Sequence, residues 1–149
     1  MPANTTPIYT LTPNINGANV TAANTKSDGS GTIGTDIYKC FTAGANGSFV
    51  SKVRFSPTAT VASTATAATC FRIYISTKTS GATTPGTDTW QIAEISAAAQ
   101  TADAPTANTY PIEIPINVAI PASYTVLVSN HVVANASTAW VAVVFGGDY

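Results

Sequence analysis

The side chains that could do chemistry in this chain are few and widely spaced. The single histidine, His131, lies two residues after Ser129. A serine hydrolase also needs a carboxylate behind the histidine and a strained nucleophile turn such as Gly-x-Ser-x-Gly, and the sequence has no such turn. We therefore interpret His131 as a loop or strand-end residue without a catalytic role.

The acidic residues have no spacing that would make one carboxylate a general acid and another a general base. The sequence therefore predicts no catalytic residue and favours a protein that is not an enzyme. The seven carboxylates are dispersed along the chain, at Asp28, Asp36, Asp88, Glu94, Asp103, Glu113 and Asp148.

Metal-binding patterns are equally weak. Two cysteines and one histidine are too few for a structural zinc site within the chain. The run Asp-Gly-Ser-Gly at residues 28–31, followed by Asp36, faintly suggests a calcium loop. The alternation and the terminal glutamate of an EF-hand are absent, so a hairpin-type turn is favoured. We predict neither a metal nor a cofactor.

The two cysteines, Cys40 and Cys70, both fall within predicted strands rather than in a short-spaced cysteine framework. A disulfide would form if their strands were neighbours. Two free thiols in a reducing compartment are the favoured interpretation. The two tryptophans, Trp90 and Trp140, could stack on a sugar, but both open predicted strands, where tryptophan is more often a core or interface residue.

The composition excludes several classes of protein. Charged residues make up 9% of the chain, against roughly 25% in globular proteins, and the formal net charge is −1. The basic residues form no cluster, so we expect no nucleic-acid partner. A chain with 45% apolar residues and little net charge should fold. Because such a surface has little charge repulsion, it suits an assembly subunit better than a freely diffusing enzyme.

Neither end of the chain has the pattern of a membrane or export segment. Residues 114–149 are almost uncharged, but Pro, Ser and Asn interrupt them at short intervals, whereas a spanning helix needs about 20 continuous apolar residues. The first residues lack the basic and apolar regions of a signal peptide, which favours synthesis in the cytoplasm.

Large apolar residues alternate with polar ones in short runs bounded by turn-forming residues, the period of a strand with one buried face. No segment has a sustained helical face. The predicted fold is all-β, an antiparallel jelly-roll-like β-sandwich of about eight strands. A weak strand near Val20 is followed by firm strands at residues 37–42, 49–56, 70–77, 90–96, 110–117, 124–129 and 139–145.

The same alternation predicts which side chains form the core. Within residues 110–117, Pro111 and Pro115 lie on the face opposite the isoleucines, so this strand should lie at a sheet edge, where prolines resist unwanted pairing. Residues 57–69, 78–89 and 97–109 are small and polar and are predicted to be exposed loops. The predicted core is Phe49, Val53, Phe55, Phe71, Ile73, Ile75, Ile112, Ile114, Val126 and Val128.

Two parts of the chain are distinguished by composition. Residues 1–14 are rich in proline and threonine and are predicted to form an extended N-terminal arm, and residues 15–149 a single β-sandwich domain. Ile8, Tyr9 and Leu11 would anchor the arm on a neighbouring subunit, because such side chains should not stay exposed.

Several motifs together resemble a known family. Ala-Asn-Thr at residues 23–25 and Asp-Gly-Ser-Gly at 28–31 precede Phe-Thr-Ala-Gly-Ala-Asn-Gly-Ser at 41–48, and Gly-Gly-Asp-Tyr at 146–149 follows the last strand. In this order the chain resembles small tailed-bacteriophage virion proteins of the capsid decoration, or cement, type, over most of residues 16–149. Residues 57–69 and 79–89 are longer than in that family.

The resemblance implies a jelly roll that gathers at threefold positions of an icosahedral shell. The expected function is a structural virion protein, a homotrimer on the exterior of the phage head, whose partner is the major capsid protein. The alternative is a carbohydrate-binding adhesin or a head or tail fibre module, whose partner would be a host-surface glycan.

Overall fold

The computed structural model describes residues 10–102 and 110–149. In these ranges the chain forms β-strands and no helix, and so it contains no helix of the length and hydropathy needed to cross a bilayer. The all-β prediction is confirmed. The strands are β1 Thr12–Val20, β2 Gly31–Ile33, β3 Tyr38–Thr42, β4 Ser48–Ala59, β5 Thr64–Ala65, β6 Thr69–Ser76, β7 Gly81–Thr83, β8 Thr89–Ala97, β9 Thr101–Ala102, β10 Ile112–Ile120, β11 Thr125–Asn130 and β12 Thr138–Asp148.

Two antiparallel sheets pack face to face. Sheet A is four-stranded with the order β1-β12-β4-β10, and sheet B is four-stranded with the order β3-β11-β6-β8. If these eight strands alone are ranked along the chain, sheet A reads first, eighth, third, sixth and sheet B reads second, seventh, fourth, fifth. Most neighbours within a sheet are therefore distant in sequence, an order consistent with the expected jelly-roll-like sandwich.

All seven firm strands are present, with ends that differ by a few residues from the predicted ones. In the described residues the structure adds the short strands β2, β5, β7 and β9, the last three inside segments expected to be loops. They pair in two small sheets, β2 with β7 and β5 with β9. Their residues are mostly small or polar, so no local alternation marks them, and their pairing depends on chain segments that meet in the folded state.

The N-terminal boundary differs from the prediction. Instead of a weak strand near Val20, β1 pairs with β12 over its whole length, from Thr12 opposite Asp148 to Val20 opposite Trp140. Residues 12–14, expected in the arm, therefore belong to sheet A. Pro13 is tolerated because β1 is an edge strand. Residues 1–9 lie outside the described residues, and the docking of the arm on a neighbouring subunit stays a prediction.

The predicted edge strand is confirmed. β10 ends sheet A and pairs with β4 alone among the described strands. The register shifts between Pro115 and Val118, where Asn117 has a φ of 50°. A bulge beside a proline interrupts the free edge, and such interruptions hinder pairing with another chain.

The core lies between the two sheets and is organised by aromatic rings. Phe55 of sheet A stacks on Phe71 of sheet B with ring centroids 4.1 Å apart. Trp140 meets Phe71 edge-on at 5.1 Å and is buried. The expectation that Trp140 is a core residue is therefore confirmed.

Most of the predicted core is correct. The fully buried members are Val53, Phe55, Phe71, Ile73, Val126 and Val128, while Ile75, Ile112 and Ile114 are half-buried and pack against them. The assignment of Phe49 to the core is wrong, because Phe49 is half-buried and Val50 is buried in its place. Opposite β12, Lys52 pairs with Phe145 but Val50 pairs with Gly146, so Ser51 is an extra residue. This bulge reverses the inward and outward parity of the residues before it.

The outer face of sheet B is covered by the chain itself. Tyr74 and Leu127 point away from the main core and form a second buried cluster with Ile37 and Ile33. Arg72, which is also buried on this face, donates to the main-chain oxygens of Asn24 and Lys26 at 3.4 Å. Residues 21–37 therefore close this side of the sandwich.

Candidate binding surface

The residues considered for hydrolase chemistry have other partners. The Ser129 hydroxyl lies 3.2 Å from the Tyr74 hydroxyl, and Nδ1 of His131 lies 3.4 Å from the Arg72 guanidinium. Nε of Arg72 in turn donates to Glu94 at 2.6 Å, which holds the pKa of that carboxyl below its usual range. The His131 contact joins the segment after β11 to Arg72 of sheet B. None of these contacts places His131 between a nucleophile and a carboxylate.

Both cysteines are free thiols, as predicted. Burial raises the pKa of the Cys40 thiol to about 12. Burial, followed by the charge of Glu94, also raises the pKa of Cys70. Since the thiolate is the nucleophile and the metal ligand, these environments disfavour both roles at neutral pH.

The two carboxylates considered for calcium binding, Asp28 and Asp36, accept hydrogen bonds within their own turns. Asp28 accepts hydrogen bonds from the main-chain N–H and the hydroxyl of Ser30, at 2.9 and 2.7 Å. Asp36 accepts from the N–H of Thr32 at 2.6 Å. Within the described ranges, no group of three or more His, Cys, Asp or Glu side chains is placed to hold a metal ion. The turn interpretation accounts for both residues.

An apolar cleft separates the two edge strands β8 and β10. It is lined by Ile75, Ile92, Ala93, Pro115, Ile116 and Val118 and has a volume of about 210 Å³. Pockets that enclose drug-sized ligands have about 300–1,000 Å³. The cleft is therefore suited to a single apolar side chain. On β8, Trp90 is 38% exposed, so it is the tryptophan that remains available for contact with a partner.

The outer face of sheet A differs from that of sheet B in burial: Val141, Val143 and Phe145 on it are only half-buried, whereas Tyr74 and Leu127 on sheet B are fully buried. On β12, Trp140, Ala142 and Val144 enter the core, so the alternate residues Val141 and Val143 point outward. The register places Phe145 on the same outer face, between Ile15 of β1 and Lys52 of β4. We call this surface the open face; its members are Ile15, Val141, Val143, Phe145, Lys52, Arg54 and Glu113.

Charged side chains border the apolar part of the open face. Glu113 accepts hydrogen bonds from Lys52 at 2.9 Å and from Nε of Arg54 at 2.7 Å, and these two contacts hold its pKa below the usual range. Both cations also lie 5.3 Å from the centre of the Phe145 ring. Cations at this distance are attracted to an aromatic face. Two cations and one carboxylate leave a single positive charge in excess.

Two of the four motifs named in the sequence, at residues 41–48 and 146–149, meet at one end of the sandwich. The Asp148 carboxylate accepts hydrogen bonds from Asn14 Nδ2 at 2.9 Å, from Gly44 N at 3.3 Å and from the Ser48 hydroxyl. We call these four residues the Asp148 cluster. A Cβ at Gly44 would lie 2.8 Å from the Asp148 carboxyl carbon, so glycine permits this approach. Residues 41–48 and 145–149, far apart in sequence, thus form one structural unit.

The Asp148 cluster should make stability depend on pH. The Ser48 hydroxyl, then Asn14 and the Gly44 N–H, lower the pKa of Asp148 in the folded state. Its stabilisation is therefore present above the unfolded-state pKa and is lost as the pH falls through the folded-state pKa. We expect Asp148→Asn to lower the free energy of unfolding at pH 7, because the variant loses the charge that these donors stabilise. The loss should be only about 1 kcal/mol, because solvent screens this partly exposed site.

Urea unfolding of the wild type and Asp148→Asn at pH 7 and pH 3 measures this effect. The difference between the two proteins should shrink at the lower pH. Ser48→Ala, which removes the principal donor, should reproduce most of it. An equal difference at both pH values would contradict an ionised Asp148 as the cause.

Comparison of this chain with protein-family models, with curated proteins and with solved structures finds no match. The functional interpretation therefore depends on the residues themselves.

The sequence interpretation did not single out the open face. A signal for it was present: residues 139–145 are apolar at every position. A strand that is apolar on both faces is typical of one that is covered on both sides. In the described residues, the core covers the inner face of β12 and the outer face remains open.

Proposed function

We propose that this protein is a structural virion protein of the capsid decoration, or cement, type, which binds the outer surface of a tailed-phage head and has no catalytic activity. The observation that carries this proposal is the open face, where the apolar residues Val141, Val143 and Phe145 of β12 lie on the outer side of sheet A and are only half-buried. A charge-poor sandwich with one self-covered face and one open apolar face is suited to binding a protein surface.

Two further observations support the proposal. Two of the four motifs behind the resemblance, at residues 41–48 and 146–149, are joined through Asp148 and form a compact unit at one end of the fold. Among the described residues, the histidine does not lie between a hydroxyl nucleophile and a carboxylate, and no metal-ligand cluster is present. Both fit a binding role better than chemistry.

In the proposed mechanism, the protein binds the assembled lattice in preference to separated capsid subunits. A ligand that favours the assembled form stabilises it by an amount that grows with its concentration and affinity. We propose a homotrimer on the head exterior with the major capsid protein as partner, synthesised in the host cytoplasm. The predicted arm at residues 1–14 would contact a neighbouring subunit. Residues 12–14 of this segment belong to β1.

The test compares two exposed apolar residues on different surfaces. Ile15, on the open face, is 57% exposed, and Val133, in the loop between β11 and β12, is 59% exposed. We expect Ile15→Glu to weaken binding to head particles that lack this protein by at least about tenfold, because an apolar contact would have to desolvate a carboxylate. Val133→Glu should bind like the wild type. Co-sedimentation with the particles measures both.

Thermal unfolding and oligomer mass of the same variants complete the test. Folded Ile15→Glu that keeps wild-type particle binding would reject the open face as the capsid contact. Loss of the trimer in Ile15→Glu would assign the face to subunit contacts instead. If the protein binds no head particle at all, the decoration function itself fails.

A carbohydrate-binding adhesin is the second candidate, and the exposure of Trp90 is the feature that favours it. Trp140 is buried and cannot stack on a sugar. Copy number separates the two functions, since a decoration protein should be present in hundreds of copies per particle and a fibre tip in few. A quantitative mass-spectrometric inventory of purified particles decides between them.

A further inference from the structure

The chain contains two Asn-Gly pairs in different surroundings. Asn16 and Gly17 lie in the middle of β1, whereas Asn46 and Gly47 lie in the turn between β3 and β4. Asn-Gly is the dipeptide in which a main-chain nitrogen most easily reaches the preceding side-chain carbonyl, because glycine has no Cβ to obstruct the approach. The reaction that follows is spontaneous deamidation.

We propose that Asn46 is a site of spontaneous deamidation in the folded protein, and that the fold protects Asn16 from the same reaction. The main-chain nitrogen of Gly47 attacks Cγ of Asn46, forming an N–Cγ bond. The Cγ–Nδ2 bond breaks and ammonia leaves with the proton lost by the attacking nitrogen. Water then opens the cyclic imide at either carbonyl and yields aspartate or isoaspartate, with no oxidant or reductant involved.

Within the described part of the chain, each of the two reacting groups in the turn that holds Asn46 is restrained by a single hydrogen bond. Gly47 N donates to Gly44 O at 3.1 Å, which closes a four-residue turn. The Asn46 side chain is exposed, and its Nδ2 donates to the main-chain oxygen of Tyr149 at 3.3 Å. The attacking nitrogen is released when one turn hydrogen bond opens, and a single bond of this kind contributes little net stability.

Asn16 is restrained on both sides. The register places it opposite Val144, and Gly17 opposite Val143, in the middle of the pairing between β1 and β12. The main chain at Gly17 is so close to β12 that a Cβ there would lie 2.5 Å from the oxygen of Ala142. The Asn16 amide also donates to Asn14 Oδ1 at 2.8 Å. Rotation of this main chain requires several ladder positions to open together, which is rarer than the opening of one turn.

The product would change the end of the sandwich that contains the Asp148 cluster. A carboxylate at position 46 cannot donate to Tyr149, and isoaspartate adds a methylene to the main chain of a tight turn. Gly47 in this turn has a φ of 89° and its oxygen accepts from Tyr149 N at 3.2 Å. We therefore expect the deamidated protein to be a more anionic form with a lower thermal midpoint.

The experiment incubates purified full-length protein at pH 8 and 37 °C, folded and in concentrated urea, and follows both asparagines by peptide mapping and mass spectrometry. For each asparagine, the deamidation rate in the folded protein is divided by the rate of the same asparagine in urea. This ratio removes the effect of the neighbouring sequence on the intrinsic rate. We expect this ratio to be at least about tenfold higher for Asn46 than for Asn16. Asn46→Gln, which closes a less favourable ring, should abolish the anionic form.

Two outcomes would overturn the proposal. One is a ratio for Asn46 that equals or falls below that of Asn16, which would mean that the turn protects its asparagine as well as the strand does. The other is an anionic form that persists in Asn46→Gln, which would place the modification elsewhere. Neither readout depends on capsid binding, so the result is independent of the proposed function.

Discussion

Replacing Phe71 with alanine is expected to lower the free energy of unfolding by about 3–5 kcal/mol. The Phe71 ring is fully buried, stacks on Phe55 at 4.1 Å and meets Trp140 at 5.1 Å. Its removal would cost the burial of the ring, both aromatic contacts and the filling of a space that rigid neighbouring strands cannot close. Urea unfolding followed by tryptophan fluorescence measures the loss, because Trp140 lies at the site.

Two variants control this experiment. Phe71→Leu keeps most of the volume and should cost less than about 2 kcal/mol, which leaves a measurable protein if the alanine variant does not fold. Phe49→Ala deletes the same ring at a half-buried position outside the core and should cost about 1 kcal/mol. A loss at Phe49 as large as that at Phe71 would contradict the parity change at Ser51.

Gly47→Ala should lower the free energy of unfolding by about 3 kcal/mol, while Gly34→Ala should cost about 1 kcal/mol. Both glycines have a φ of 89°, a left-handed conformation that disfavours a side chain. They differ in their surroundings. A Cβ at Gly47 would lie 2.8 Å from the main-chain oxygen of Ile120, whereas a Cβ at Gly34 meets no atom within 4 Å.

The comparison therefore separates backbone strain, which both variants share, from the steric clash, which is specific to Gly47. Thermal and urea unfolding of the two variants beside the wild type measure the difference. Equal losses would mean that the turn at Gly47 shifts away from Ile120 without cost. The close packing that joins residues 41–48 to the end of β10 would then be unimportant for stability.

The outer faces of the two sheets differ in burial. Residues 21–37 seal the outer side of sheet B around Tyr74 and Leu127, which makes that side part of the stable fold. On the open face, apolar residues of β12 lie beside Lys52 and Arg54. The apolar residues can contact a partner, and the charged side chains keep the surface soluble. The proline-bearing edge strand β10 then limits association through strand pairing, so that contact through a face is favoured over contact through an edge.

Much of the fold was accessible from local patterns. Apolar runs, most of them alternating with polar residues, and the turn residues that bound them located all seven firm strands, because both are properties of neighbouring residues. Proline chemistry placed β10 at an edge for a similar reason, since a missing N–H cannot serve a central ladder. The free state of Cys40 and Cys70 was predicted from their spacing, which is not that of a short cysteine framework.

Other features depend on chain segments that meet only after folding. The extra residue at Ser51 is defined by its partner strand β12, so the sequence of β4 alone could not reveal that Val50 replaces Phe49 in the core. The same holds for the pairing of β2 with β7 and for the full length of β1, whose many polar residues gain their strand conformation from hydrogen bonds to β12.

The candidate binding surface shows this division most clearly. The continuous apolar run at residues 139–145 gives one strand two apolar faces, and this is what the sequence by itself determines. Which face is covered depends on where residues 21–37, sheet A and sheet B lie relative to one another, and the tertiary structure decided it. The physical reason is that burial is a relation between distant segments, whereas periodicity is a relation between neighbours.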